Sequence, residues 1–550
     1  MATLKKDSLL KGTLILALAA LIARALGLFQ KIPLTYMLGD EGQYAVTNAN
    51  QIYLTLLVLA TAGFPSAISK MVSERIEVGN YDEAKQIYRA SLWFGAATGI
   101  ILAASLFFLA PLYTSIVDKE SITLSVQAIA PTLILFPTIA MMRGYFQGRQ
   151  MMTAGGHSQI VEQFARVILG LTLGFAFISL GYSDEAAAAA ISFGNIFGSI
   201  AAFLVMLYYA RKLKKQDEHL NMSAEARAAL MPNQSVVKGK KLKFRTIYGE
   251  ILRMSLPALI TSMAINLAYL FDSTFFFRIT AKVYSEAEAV AQGAILTVRA
   301  ITLAGIPPIL AIALGSAIIP IISAAFARKD QAEADRQSSM VMKIVCLTGV
   351  PVALFFSASA YSISGLFFPG PEGYQTIALL CIGTIFQITM MTSNSILYGL
   401  GKQRQTMMHT ITGLIIKIVV TTICGYFFGV AGFVIGTTAC FIVITLMNLS
   451  LIKKYVTLKV MGKKWLPYIG AVLISTAACW GAEYGMLQLT EGLADKLSYL
   501  LAVIVSGGIL CGIYGILLLK LKILTVNDIE VLPGKLRGPL KKLMRVMGAA

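Results

Sequence analysis

Residues 430–452 read VAGFVIGTTACFIVITLMNLSLI, a run without one Asp, Glu, Lys, Arg or His that ends at Lys453 and Lys454. At 1.5 Å per helical residue such a run is about 35 Å long, enough to cross a hydrocarbon core of about 30 Å. Runs of this kind recur on both sides of it. The 550 residues are 57% apolar and 14% charged, against roughly 25% charged in ordinary soluble domains. Mean hydropathy is +0.72. This composition excludes a soluble enzyme. It predicts an all-α polytopic membrane protein, because a helix satisfies its own backbone hydrogen bonds where lipid offers none.

Apolar runs and polar breaks predict fourteen transmembrane helices, at 9–37, 45–69, 87–112, 122–147, 157–181, 186–210, 251–277, 289–325, 340–368, 374–400, 405–428, 430–452, 465–488 and 497–520. The eighth is long enough to bend at Pro307, Pro308 or Pro320. The first carries Arg24 and lacks a convincing small-residue cleavage site, so a retained helix is expected rather than a signal peptide. Alternating the loops places 38 of the 47 Lys and Arg on the side holding both termini and only Lys119, Arg278, Lys282 and Lys496 on the other. The positive-inside rule then puts both termini in the cytoplasm of a multi-pass cell membrane protein.

The net charge of +19 therefore reflects cytoplasmic loops, and no nucleic-acid partner is expected. The stretches RKLKK and KGKKLKFR lie in a basic linker at 211–250, and a basic tail follows at 521–550. Both suit solvated segments that touch anionic membrane lipid. The six cysteines lie in apolar stretches without CxxC or metal spacing. They read as small hydrophobes, and no metal site is expected.

YFQGRQMM at 145–152 echoes YGLGKQRQTMMH at 398–409, and Pro65 in GFPSAIS echoes Pro320 in IIPIIS, at separations of 253 and 255 residues. Two echoes at nearly one period predict six helices followed by six more of the same orientation, with helices 13 and 14 outside the repeat. Two lobes of this kind, at 1–210 and 251–455, form the usual plan of an alternating-access carrier with its site near the midplane.

Seven ionisable residues fall inside the spans: Arg24, Lys31, Glu162, Arg166, Asp272, Arg299 and Lys417. A charge at the bilayer centre costs about 2.5–3.5 kcal/mol on insertion scales, so such residues face a wet cavity or a partner. Arg24 and Arg299 read as cavity cations. Lys31, two turns beyond Arg24, either joins them or snorkels to the interface. Glu162 and Arg166, spaced i, i+4, can neutralise each other within one helix. Asp272 and Lys417 can pair across the second lobe, either as a conformational coupling element or as a neutralised packing contact. Five basic residues against two acidic favour an anionic substrate, since Arg forks and Lys point charges suit phosphate or pyrophosphate. No GxxxxGK[ST] pattern is present, so no nucleotide cofactor is expected.

These residues resemble a known family. The six plus six plus two plan, GFPSAIS after helix 2, RGYFQGRQMM followed by SQIVEQ, and RAITLAGIPPILAIALGSAIIPIIS through helix 8 resemble the MOP exporter superfamily. Within it the chain is most similar to MurJ-like lipid II flippases, in the Gram-positive YtgP and SpoVB branch of polysaccharide biosynthesis proteins. The resemblance implies a cavity between two lobes for the disaccharide and pyrophosphate of lipid II. It also implies a groove for the polyprenyl tail formed by helices 13 and 14 at 456–520. Arg24 in ARALG and Arg299 before IPP occupy two of the family's arginine positions. A further helix 1 arginine falls at Gln30 beside Lys31, and the family's helix 2 arginine at Leu57. Where some members hold sodium between acidic groups of helices 7 and 11, this chain offers Asp272 and Lys417, so the ammonium is expected in the place of the cation.

The function expected is therefore translocation of lipid II, with no bond made or broken and hence no enzyme. Three alternatives stand beside it: a flippase for another polyprenyl-linked precursor of teichoic acid, capsule or spore cortex, a MATE-like multidrug antiporter, which the positive sign of the buried charge disfavours, and a non-transporting membrane scaffold that recruits soluble synthases through the 211–250 loop. Cell-wall synthases are possible partners.

Overall fold

The structure, a computed structural model, describes residues 29–61, 63–77, 80–230 and 244–524, with positions 19, 22, 23, 26 and 27 before them. No strand occurs among the described residues. After α1 (29–37) come α2 (Asp40–Thr61), α3 (Phe64–Glu77), α4 (Tyr81–Val117), α5 (Thr123–Ile129), α6 (Thr132–Gly148) and α7 (Met152–Ser179). These are followed by α8 (Asp184–Phe193), α9 (Asn195–Leu230), α10 (Phe244–Thr280), α11 (Glu286–Ala294), α12 (Ile301–Ala304), α13 (Ile309–Ala327) and α14 (Gln331–Ala358). The chain continues through α15 (Ala360–Phe367), α16 (Tyr374–Gly399), α17 (Gln403–Phe428), α18 (Val430–Ile452), α19 (Trp465–Leu489) and α20 (Asp495–Lys520).

Among the described residues 11 helices are long and apolar enough to cross a membrane, or 12 if Glu120–Ile129 and Thr132–Gly148, bent by 41° against each other, form one broken span. Much of the first expected span lies outside the described residues. The 430–452 run forms α18 over its whole length. The stretch 211–230, read as the start of a linker, continues α9 as helix to Leu230. Its Lys, Glu, Ala and Arg residues are good helix formers, so helix outlasts hydrophobicity here.

Contacts gather the chain into two compact units, Met1–Val298 with Gln403–Ile418, and Arg299–Lys402 with Val419–Ala550. One hydrophobic core of the first joins Phe64, Ile68, Ile87, Met141 and Phe146. One of the second joins Ile322, Val341, Ile396, Tyr468 and Leu518. In the second unit the hydroxyls of Tyr468 and Tyr514 donate to the carbonyls of Cys346 and Leu347 at 2.7 and 2.9 Å, tying α19 and α20 to α14. Of the cysteines, Cys346, Cys381, Cys440 and Cys479 are buried, whereas Cys424 is half-buried and Cys511 is exposed.

The two echoing segments, 145–152 and 398–409, share a helix ending. At the end of α6, Gln150 takes φ +59° and the Met151 N–H bonds back to the Phe146 carbonyl. At the end of α16, Gly401 takes φ +72° and the Lys402 N–H bonds back to the Leu397 carbonyl. Both are left-handed caps that satisfy otherwise orphaned carbonyls. The structural register therefore pairs Gln150 with Gly401, a two-residue shift from the letter-by-letter echo of Gly148 with Gly401. The helix crossings agree with it: a methyl at Gly148 would lie 2.6 Å from the Ser69 carbonyl oxygen of α3, and one at Gly399 would lie 2.7 Å from Ile322 Cβ of α13. Each glycine lets two backbones approach closely, and that packing rather than the string match sets the register.

Candidate functional site

Arg299 sits where the helical ladder is disturbed. After α11 begins on a reciprocal Ser285–Glu288 capping box, residues Ile295–Ala300 form a π-helical turn. α12 then stops at Ala304, just before Pro307 and Pro308. The prolines supply no N–H and cannot continue the ladder. Arg299 is 9% exposed. Its Nη1 donates to Glu372 Oε2 at 3.0 Å and to the carbonyls of Glu372 and Gly370 at 3.1 and 3.4 Å. The guanidinium also lies 5.7 Å from the Phe368 ring centroid. Glu372 belongs to the loop between α15 and α16 and its side chain is 66% exposed. Its own backbone N–H and then Arg299 hold this carboxyl below the usual carboxylate range.

Asp272 of α10 and Lys417 of α17 meet with Nζ to Oδ1 at 2.7 Å. Their side chains are 2% and 0% exposed. The ammonium thus occupies the position beside Asp272 that the sequence assigned to it. The carbonyl next to Asp272 anchors a polar network: Ser273 O accepts from Tyr44 Oη at 2.6 Å and from Asn48 Nδ2 at 3.2 Å. Tyr113 Oη in turn donates to Asn48 Oδ1 at 2.5 Å. Helices α2, α4 and α10 are joined through this network.

Glu162 and Arg166 form the expected intrahelical pair at 3.0 Å, but a third group joins them. Arg143 of α6 donates from Nη2 to Glu162 Oε2 at 2.8 Å and to Ser158 Oγ at 2.9 Å. All three side chains are largely buried, at 12%, 3% and 10% exposure for Arg143, Glu162 and Arg166. Gly198 lets α9 approach α7 closely beside this cluster, since a Cβ there would stand 2.9 Å from the Glu162 carbonyl oxygen. The Arg166 guanidinium lies 5.9 Å from the ring centroid of Tyr53.

Arg24 lies outside the described residues, and Lys31 on α1 is half-buried. The structure therefore brings together Asp272 with Lys417 and Glu162 with Arg166, and gives Arg299 a partner 73 residues away. Sequence reasoning missed Arg143, counting it with the cytoplasmic charges, although it falls inside the fourth expected span. It also missed Glu483, 4% exposed on α19, whose Oε1 accepts from the Ser362 N–H at 2.9 Å near the start of α15. In both cases the signal was an ionisable residue within one or two turns of a span end, where snorkelling and burial look alike. Among the described residues no group of three or more His, Cys, Asp and Glu side chains suits a metal ion.

The comparisons with known proteins fit this arrangement of helices. Residues 9–326, more than half of the chain, match the family described as "Polysaccharide biosynthesis protein". The chain belongs to the polysaccharide biosynthesis protein family. One relative of this family member, the Lipid II flippase MurJ of Bacillus subtilis (strain 168), is 27% identical over 467 residues, covering 82% of this chain and 83% of the relative. A second, Stage V sporulation protein B of the same organism, is 23% identical over 533 residues, covering 96% of this chain and 98% of the relative. Among solved structures, that of "Lipid II flippase MurJ, inward closed conformation" superimposes with a TM-score of 0.65 at 12% identity, covering 92% of this chain and 99% of the other. The MurJ and SpoVB resemblance and the all-α membrane fold read from the sequence are borne out, with 11 or 12 spans found among the described residues. This polysaccharide biosynthesis protein is a multi-pass membrane protein whose relatives include flippases rather than enzymes.

Proposed function

We propose that this chain is a flippase that carries undecaprenyl-pyrophosphate-linked peptidoglycan precursor, lipid II, from the inner to the outer leaflet of the cytoplasmic membrane by alternating access. The observation that carries the reading is Arg299. It is a buried guanidinium on a π-helical turn, and its carboxylate partner sits on an exposed loop side chain. A pyrophosphate oxygen can take the place of Glu372 Oε2 at little cost, because that carboxylate regains water when released. Arg24 and Lys31 of helix 1 supply further cations for the same diphosphate. The relative named lipid II flippase supports the choice of cargo.

In this proposal the lobes 1–210 and 251–455 move against each other, helices 13 and 14 guide the polyprenyl tail, and both termini stay in the cytoplasm. Asp272–Lys417 acts as a fixed internal neutralisation that replaces a coupling cation. The basic linker and tail meet anionic lipid, and cell-wall synthases are the partners expected to receive the cargo. A second reading, a flippase for another polyprenyl-linked glycan such as a spore cortex precursor, is favoured by the relative named for stage V sporulation.

Leaflet-resolved lipid II translocation in proteoliposomes tests the proposal, with Arg24→Ala and Arg299→Ala inserted to equal levels. Fast flipping by the wild type, lost in both variants, is the expected result. Wild-type flipping no faster than in empty vesicles, with a membrane potential applied, would transfer the assignment to another lipid-linked glycan.

A further inference from the structure

The Arg143–Glu162–Arg166 cluster is not electrically closed. Two guanidiniums share one carboxylate, and both carboxylate oxygens are already occupied: Oε1 by Arg166 and Oε2 by Arg143. One positive charge is left uncompensated among largely buried side chains. Arg166 stands within hydrogen-bonding reach of the Tyr53 hydroxyl, and neither Arg166 Nε nor that hydroxyl has a well-aligned acceptor for its proton. Tyr53 is fully buried and Arg166 is 9% exposed. The guanidinium carbon stands 5.9 Å from the Tyr53 ring centroid, so both donors belong to one locus. Among the described residues the charged side chains that act on the Tyr53 hydroxyl are Arg166, Glu162 and Arg143.

Buried polar groups are normally satisfied and buried charge is normally paired. A locus with one excess positive charge and two unused donors has the electrostatics and the hydrogen-bonding demand of a monovalent anion. We propose that Tyr53, Arg143 and Arg166 bind a small inorganic anion of the chloride class, with Glu162 as the competing internal anion that limits its affinity. Residual exposure of Arg143 and Arg166, at 12% and 10%, gives the ion a way in. The inference concerns α2, α6 and α7 alone and stands whichever glycan the chain carries.

The test is the thermal unfolding midpoint of the full chain in nanodiscs, titrated with chloride at constant ionic strength with gluconate as the filler. The midpoint is expected to rise and saturate with chloride, and bromide is expected to reproduce the rise. Tyr53→Phe removes a hydroxyl whose polar neighbour, Arg166, keeps its bond to Glu162, so the fold survives, and about tenfold more chloride should be needed for half the effect. Glu162→Gln removes the competing charge and should lower the half-saturating chloride by a similar factor, a direction opposite to simple destabilisation. A midpoint indifferent to halide overturns the proposal, as does a Tyr53→Phe response equal to wild type. A Tyr53-dependent shift produced by inorganic pyrophosphate but not by chloride also overturns it, and would assign the locus to the diphosphate of the cargo.

Discussion

Asp272–Lys417 and Arg299–Glu372 are the same chemistry in two settings. Each joins a base and a carboxylate at 2.7–3.0 Å across long sequence separations, yet the carboxylate is 2% exposed in the first and 66% exposed in the second. A sealed pair cannot be parted without leaving a charge stranded in a medium that does not solvate it. An open pair exchanges one partner for water at small cost. The first pair therefore holds structure, and the second leaves its arginine available to another anion.

Separating the two roles experimentally begins with the sealed pair. Lys417→Ala or Asp272→Ala should cost about 3–5 kcal/mol of stability, because each strands its partner. The unfolding midpoint in detergent measures this. Lys417→Met combined with Asp272→Asn should recover much of the loss. Sodium-independent transport at full rate in Lys417→Ala would remove any role for the ammonium in coupling.

At the open pair the order of effects is reversed. Arg299→Ala should leave the unfolding midpoint nearly unchanged while reducing translocation by at least about tenfold, the equivalent of 1.4 kcal/mol. Glu372→Gln should keep or increase the translocation rate, because it frees Arg299. A Glu372→Gln variant as inactive as Arg299→Ala would break the contrast and make Glu372 part of the carrier's machinery.

A pH series sharpens the same contrast more gently. The folded Glu372 carboxyl titrates below its unfolded value. Its contribution is therefore complete above the ordinary glutamate range, near pH 4.3, and is lost as the pH falls through the lower folded value. Wild type should exceed Glu372→Gln by a small constant margin above that range, and the two stability profiles should converge as the solution becomes more acidic.

The smallest effect is expected at the pair of Lys119 with Glu286, 2.9 Å apart, where the Glu286 side chain is 85% exposed. Glu286→Gln should leave the unfolding midpoint unchanged within error at physiological salt. A clear shift there would mean that exposure is a poor guide to which of these pairs matter.

Much of this was legible in the order of residues. The 430–452 run, the break at Pro307 and Pro308, the echo between 145–152 and 398–409 and the Glu162–Arg166 spacing are local patterns. Local patterns are what hydrophobicity and helical periodicity encode. Membrane class, family and helix positions followed from them. The partners of the buried charges did not. That Arg143 completes the Glu162 pair, that Arg299 reaches Glu372 and that the echoing segments align Gln150 with Gly401 depend on how each helix is rotated and staggered against its neighbours. Those choices come from glycine contacts such as Gly148 on Ser69 and Gly198 on Glu162, and from side chains interlocking across residues far apart in the chain. Composition specifies that a charge in the membrane must find a partner; only tertiary packing decides which partner, and how much water remains beside it.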